Sequence, residues 1–87
     1  MNIWKYPLSL EPMQLVSLPL GSEILTIQLQ RGVPTLWVKV DPDKINYSMR
    51  IFCEGTDFRF DHYSRYIATV QLDDGTVWHY FVEQDGS

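Results

Sequence analysis

The stretch of residues 23–40 constrains the fold more than any other part of the chain. Apolar and polar residues alternate on both sides of a central turn, and the apolar set comprises Leu25, Ile27, Leu29, Leu36, Val38 and Val40. Because successive side chains of an extended chain point to opposite faces, this alternation is typical of half-buried strands. Between the two runs, Gly32 tolerates a positive φ angle and Pro34 interrupts a hydrogen-bonded ladder. The stretch therefore predicts a β-hairpin that carries much of the core.

Short alternating runs separated by Gly, Pro and Asp residues extend over most of the remaining chain. They predict further strands at residues 2–10, 13–18, 46–54, 67–72 and 77–83. The second of these runs is also compatible with a single turn. Pro7 lies inside the first run, and a proline without an N–H is tolerated there only at a sheet edge or a bulge. Asp74-Gly75 is typical of the tight turn that joins the two strands of a hairpin.

The strand pattern also sets expectations for the core and for the fold class. The inward faces of the later strands are expected to carry Met49, Ile51, Cys53, Ala68, Val70 and Leu72. No window shows a sustained helical period, so at most one short helix is expected, within residues 57–65. We therefore predict a single, mostly β domain over residues 1–87, built as a small antiparallel β-sandwich or a partly open barrel of about six or seven strands.

Charge and cysteine content limit the classes of partner and compartment. The formal charge is −4, and it divides unevenly into +1 up to Val40 and −5 from Asp41 onward. An acidic chain without a stripe of Lys and Arg is poorly suited to a phosphate backbone, so no direct nucleic-acid binding is expected. The lone Cys53 cannot form an intramolecular disulfide, which favours a reducing cytoplasm. No apolar run approaches the roughly 20 residues that span a bilayer, and no signal-peptide pattern is present, so we expect a cytoplasmic protein without membrane contact.

The chemistry-bearing residues do not form a recognisable catalytic or metal site. Cys53 alternates with apolar residues, as a buried structural thiol does, and no Gly-x-Ser-x-Gly motif is present. The two histidines, His62 and His79, lack the short spacings of zinc ligands. The paired Asp73-Asp74 is explained by turn propensity. We therefore expect no catalytic residue, no metal site and no cofactor, and we expect the chain not to be an enzyme.

Aromatic and arginine residues outside the predicted core point to surface recognition. Trp37 and Phe52 lie opposite the main apolar sets of their strands, and they would share one exposed face if those strands were neighbours. Residues 58–66 carry the same residue types on a loop, where recognition residues concentrate. The predicted binding residues are Trp37, Phe52, Phe58, Arg59, Phe60, Tyr63 and Arg65. The same aromatics are also compatible with a homodimer interface or with a core buried on both faces.

Short motifs distributed along the chain resemble those of a known family. The motifs are Ile3-Trp4-Lys5-Tyr6, Leu18-Pro19 with Gly21, Gly32-Val33-Pro34, Leu36-Trp37, Val40-Asp41-Pro42, Arg50-Ile51 and Tyr66-Ile67. With them the chain resembles, over nearly its whole length, a family of small uncharacterised proteins encoded mostly in bacteriophage genomes and prophages. The resemblance implies a cytoplasmic accessory protein of phage origin. It transfers no functional residue, because the family has no assigned activity.

Two functions of different classes follow as expectations. The first is a non-enzymatic phage accessory protein that binds and inhibits a host protein, in particular a component of bacterial defence against phages. This expectation rests on an association at the level of protein class, because small acidic phage proteins often bind and block a host factor. No motif in the chain supports it. The alternative is a homo-oligomeric protein that sequesters a nucleotide. In that case the base would stack on Phe58, Tyr63 or Trp78, and the phosphates would bind Arg59 and Arg65.

Overall fold

A computed structural model of the chain describes residues 1–84, which form seven strands and no helix. The strands are β1 (Asn2–Pro7), β2 (Met13–Pro19), β3 (Glu23–Gln30), β4 (Val33–Val40), β5 (Asn46–Gly55), β6 (Ser64–Gln71) and β7 (Val77–Glu83). Residues 85–87, the end of the predicted 1–87 domain, lie outside the described residues. Within the described part of the chain, no helix is long and apolar enough to cross a membrane.

The strands pair into two antiparallel sheets. Sheet A has three strands in the order β1-β4-β3, and sheet B has four strands in the order β2-β5-β7-β6. Apolar side chains from both sheets meet in one core, whose fully buried members include Leu18, Leu36, Val38, Val40, Ile51 and Tyr80. At one side of the molecule β3 of sheet A contacts β6 of sheet B. The fold is an antiparallel β-sandwich, which confirms the fold class predicted from the alternation.

The central hairpin of β3 and β4 occurs where the sequence predicts it. Its two turn residues, Arg31 and Gly32, have φ angles of 51° and 80°. Positive φ at both central positions matches the right-handed twist of the flanking strands, which is why such turns are preferred in two-residue hairpins. Pro34 follows the turn on the central strand of sheet A, where it accepts a hydrogen bond from the N–H of Leu8 through its carbonyl.

The inward face predicted for β3 is wrong at Leu25, which is exposed. Ile27 is buried, and Leu29 keeps the face of Ile27 because both pair with buried residues of β4, although Leu29 is 38% exposed beside the turn. A β-bulge between Ile24 and Thr26 shifts the pairing with β4, so that Ile24 packs against the core in place of Leu25. An extra residue in one strand inverts the side-chain alternation on its N-terminal side, and no strictly periodic pattern predicts this inversion.

The later strands have the predicted inward faces. Met49, Ile51, Cys53 and Val70 are buried, and Ala68 and Leu72 pack against the core that they form. The segment 57–65, where at most one short helix was expected, contains none, because residues 56–63 form an irregular loop and Ser64 already begins β6. Asp57 in this loop has a φ angle of 69°, which is incompatible with a right-handed helix.

Candidate binding face

The outer face of sheet B, which points away from the core, carries aromatic and apolar side chains. The register places Phe52 of β5 opposite both Met13 of β2 and Phe81 of β7, and it places Phe81 opposite Tyr66 of β6. Because paired residues on neighbouring strands share a face, these four side chains form one row across the sheet. Leu15 lies on the same face of β2, two residues beyond Met13.

The loop of residues 56–63 folds back over this row and adds two more rings. The imidazole ring of His62 stacks on Phe52, with 4.1 Å between ring centroids and 8° between ring planes. Phe60 also stacks on His62, at 4.5 Å and 17°, and it contacts Phe81 at 4.9 Å. We call the whole set the aromatic face; it consists of Met13, Leu15, Phe52, Phe60, His62, Tyr66 and Phe81.

Hydrogen bonds at both ring nitrogens fix His62 in this stack. Its Nε2 lies 3.2 Å from the Oε2 atom of Glu54, and its Nδ1 is hydrogen-bonded to the hydroxyl of Ser64. The side chains of His62 and Glu54 are mostly buried, at 13% and 15% exposure. A hydrogen bond that is shielded from water resists competition from solvent, so this pair holds the loop against sheet B.

A second polar group lies beside the rings and is centred on His79. The Nε2 atom of His79 lies 2.7 Å from the hydroxyl of Thr56, and its Nδ1 atom lies 2.9 Å from the hydroxyl of Thr69. The Thr69 hydroxyl is in turn 2.7 Å from that of Tyr66. A hydroxyl beside an imidazole has the form of a nucleophile and its base, but the group that orients His79 is a neutral hydroxyl rather than a carboxylate. This network orients Tyr66 and anchors the start of the loop.

The loop residues predicted from the sequence lie on or beside the aromatic face. Phe60 belongs to the stack, and Phe52 lies beneath it. Phe58, Arg59 and Tyr63 are exposed on the same loop, and the ring of Phe58 lies over Gly55. Arg65 on β6 is exposed as well, but it pairs with Val82 of the core, so its side chain lies on the other side of sheet B from the aromatic face. The structure therefore brings five of the predicted residues into one region of the surface, which are Phe52, Phe58, Arg59, Phe60 and Tyr63.

Trp37 does not belong to this region, because β4 and β5 are not neighbours and the condition for Trp37 and Phe52 to share a face is not met. Trp37 lies on β4 of sheet A, whereas Phe52 lies on β5 of sheet B. The two strands follow one another in the sequence but belong to different layers, so their outward-facing residues lie on opposite sides of the sandwich. The ring of Trp37 instead lies 5.8 Å from the Nζ atom of Lys5.

Sequence reasoning missed Met13, Leu15 and Phe81 of the aromatic face, and it included His62 and Tyr66 only as part of the recognition segment 58–66. The alternation of β7 contained a signal for Phe81, because Tyr80 and Val82 on either side of it form the core. His62 had no comparable signal, since its role depends on a loop that contacts residues from two other strands.

The thiol of Cys53 has the environment of a structural residue. It is 2% exposed, and burial raises its pKa above the ordinary value of a thiol. Burial likewise raises the pKa of Tyr80, whose hydroxyl donates a hydrogen bond to the carbonyl of Ser9 at 2.8 Å. A protonated, inaccessible sulfur is a poor nucleophile and a poor metal ligand. Among the residues that the structure describes, no three His, Cys, Asp or Glu side chains are grouped as metal ligands would be.

A family model described as a domain of unknown function, DUF7352, matches residues 1–87. The chain belongs to this family. Membership agrees with the uncharacterised family expected from the sequence, while the description of DUF7352 contains no statement about bacteriophages. No curated protein and no solved structure is significantly similar to the chain. The functional assignment of this DUF7352 protein therefore depends on its own surface.

Proposed function

We propose that this protein is a non-enzymatic binding protein that holds a partner protein on its aromatic face. The observation that carries the proposal is the exposure of this face: Leu15 is 61% exposed, Tyr66 54%, and Met13 and Phe60 44% each. Contiguous apolar surface of this kind marks protein interaction sites, and large aromatic side chains dominate their binding energy. Two of these residues, Phe60 and Tyr66, are held in place by contacts with Phe81.

The rim of the aromatic face is polar, as in protein interfaces. Arg50 lies beside Leu15, and its main-chain N–H donates to the Oε1 atom of Glu83 at 3.2 Å. Arg59 lies on the loop that covers the face, and it is exposed. A preorganised apolar centre with an arginine-containing rim favours a protein surface over a small molecule, because the stacked rings leave no slot between them for a ligand.

The class of partner in this proposal comes from the phage-family resemblance. The protein is proposed to be a phage accessory protein that acts in the cytoplasm of the host cell, where it binds and inhibits a host protein such as a defence component. The support consists of the motif resemblance, the acidic charge of −4 and the exposed aromatic face.

An affinity pull-down from host lysate, analysed by mass spectrometry, tests this proposal. The wild type is expected to recover a host protein that the double variant Phe60→Ala/Tyr63→Ala does not recover. Leu25→Ala is the matched control, because Leu25 is 43% exposed but lies on sheet A. Equal recovery by the wild type and the double variant would refute the aromatic face as the contact surface, and so would loss of recovery with the control alone.

The nucleotide-sequestering alternative retains part of its proposed site. Trp78 is removed as a stacking platform because it packs against the core and donates its indole N–H to the Thr76 hydroxyl. Tyr63 and Arg59 remain exposed on one loop. This observation favours the alternative, because Tyr63 is accessible to a nucleotide base and Arg59 to its phosphates. A thermal-shift screen with linear and cyclic nucleotides tests it, because binding to the native state raises the melting temperature. No shift at millimolar nucleotide would eliminate it.

A further inference from the structure

On the side of the sandwich away from the contact of β3 with β6, the two sheets border a shallow cleft. The cleft has a volume of about 530 Å³ and is lined by Ile3, Trp4, Lys5, Tyr6, Ser17 and Asn46. Four of these residues are consecutive in β1, so the cleft runs along that strand. β1 is an edge strand of sheet A, and Ser17 lies on β2, an edge strand of sheet B. The cleft is therefore bordered by two sheet edges.

The main-chain hydrogen bonds of β1 determine which of its groups point into the cleft. The N–H of Leu8 donates to the carbonyl of Pro34 at 2.8 Å, so this pair is a hydrogen-bonded pair of the β1–β4 ladder. The register of β1 and β4 has no shift, and hydrogen-bonded positions alternate along an antiparallel ladder. Ile3 and Lys5 therefore direct their N–H and C=O groups away from β4, toward the free edge.

The same alternation applies to β2 on the other side of the cleft. The N–H of Cys53 donates to the carbonyl of Pro12 at 3.1 Å, and the register of β2 and β5 has no shift. Hydrogen-bonded positions recur at every second residue, and Ser17 is five residues after Pro12. Ser17 therefore directs its main-chain groups away from β5. Within residues 1–84, no backbone hydrogen bond outside the strand ladders reaches Ile3, Lys5 or Ser17.

Edge strands are commonly protected by charged side chains or by proline, and β1 is only partly protected in this way. Pro7 removes a donor at the end of the strand only. Lys5 does not cover the edge, because its Nζ atom donates to the Oε1 atom of Gln30 at 2.9 Å and lies 5.8 Å from the ring of Trp37. Ile3 and Trp4 remain exposed beside the free main-chain groups.

Charge favours an acidic occupant for this cleft. The ionisable side chains of sheet A and its hairpin turn are Lys5, Glu23, Arg31 and Lys39, which sum to +2. Since the whole chain carries −4, the remainder carries −6. Lys5 belongs to this positive region and is also the cationic residue of the cleft. Opposite charges on paired strands stabilise their association.

We propose that the cleft binds an extended, acidic peptide segment of a partner protein, which adds to sheet A as a strand antiparallel to β1. The peptide main chain bonds to the free groups of Ile3 and Lys5, as in other cases of strand addition to a sheet edge. A carboxylate of the peptide lies opposite Lys5, whose ammonium exchanges its hydrogen bond with Gln30 for an ion pair with the peptide. Two residues later an apolar side chain lies opposite Ile3. This site is separate from the aromatic face, so a test of one proposal does not decide the other.

Binding of fluorescent synthetic peptides, measured by anisotropy, tests the proposal. The probe is an eight-residue peptide of alternating valine and threonine in which one valine is replaced by glutamate. Methylation of the peptide amide nitrogens that face β1 is expected to weaken binding by about tenfold or more, because each lost main-chain hydrogen bond contributes on the order of 1 kcal/mol. Replacing the glutamate by lysine is expected to weaken binding by about two- to fivefold.

Protein variants separate this site from nonspecific attraction. Lys5→Glu is expected to reverse the preference, so that the lysine peptide binds more tightly than the glutamate peptide. Arg59→Glu makes the same charge change on the loop of sheet B and is expected to leave peptide binding unchanged. In NMR spectra, the amides of Ile3 and Lys5 are expected to exchange rapidly in the free protein and slowly in the complex.

Three results would overturn the proposal. They are the absence of saturable binding at millimolar peptide, equal affinity for the methylated and unmethylated peptides, and equal loss of affinity in Lys5→Glu and Arg59→Glu. Sedimentation of the free protein tests a second copy as the occupant of the cleft. The cleft would instead be assigned to self-association if the free protein were a dimer that did not bind the peptide and if Trp4→Lys dissociated this dimer.

Discussion

Replacement of His62 by alanine should destabilise the fold more than a change at an exposed loop position usually does. The substitution removes two parallel ring contacts, with Phe52 at 4.1 Å and with Phe60 at 4.5 Å. Each such pair contributes roughly 0.5–1.5 kcal/mol beyond area burial. It also leaves the mostly buried Glu54 without its 3.2 Å partner, at a cost of about 1 kcal/mol. The sum is about 3 kcal/mol, reduced to about 2 kcal/mol where the loop relaxes into water.

Urea denaturation followed by tryptophan fluorescence measures this change in the free energy of unfolding. In a domain of this size, 2 kcal/mol corresponds to a fall of roughly 8–16 °C in melting temperature. His62→Phe is expected to lose only about 1 kcal/mol, because a phenyl ring preserves the stacking but not the contact with Glu54.

Tyr63→Ala is the control on the same loop, since Tyr63 is 69% exposed and makes no ring contact among those described. It should change stability by less than about 0.5 kcal/mol. If His62→Ala proved as stable as Tyr63→Ala, the loop would not be held by the stack, and the aromatic face would not be preorganised.

Three further predictions concern the core and the turns. The Cys53 thiol should react with maleimide reagents only at the rate of unfolding, and fast labelling of the native protein would contradict its burial. Because burial raises the pKa of both Cys53 and Tyr80, the unfolded chain releases these protons at lower pH than the native protein. Stability, measured by urea denaturation, should therefore fall as pH rises above about 9, and Cys53→Ala should weaken the first part of that fall. Gly75→Ala should cost roughly 1–2 kcal/mol, because Gly75 has a φ of 87° and an alanine methyl there would meet no atom within 4 Å, so the cost comes from backbone strain alone. A melting temperature equal to that of the wild type would refute this last prediction.

The parts of the fold that sequence predicted are those that depend on neighbouring residues. The hairpin of β3 and β4, its turn at Gly32 and the final strand Val77–Glu83 were predicted at their observed positions. Alternation and turn propensity are encoded within a few neighbouring residues, so they can be recognised without knowledge of the tertiary structure.

The parts that sequence did not predict depend on contacts between distant segments. The bulge at Leu25 is visible only in the pairing of β3 with β4, and the separation of Trp37 from Phe52 is visible only in the strand order. Local periodicity carries no information on which strands pair. The candidate face was incomplete for the same reason, because His62 joins it through a loop that returns to β5 and β7.

Hydroxyl-radical footprinting of the protein, free and bound to a partner recovered by pull-down, tests the central claim most directly. Oxidation of exposed side chains is measured residue by residue, and apolar contact with a partner lowers it. The account predicts protection of Met13, Leu15, Phe60 and Tyr66 in the complex, with Leu25 and Val33 of sheet A as reactive as in the free protein. Protection confined to sheet A, with the aromatic face still fully reactive, would contradict it.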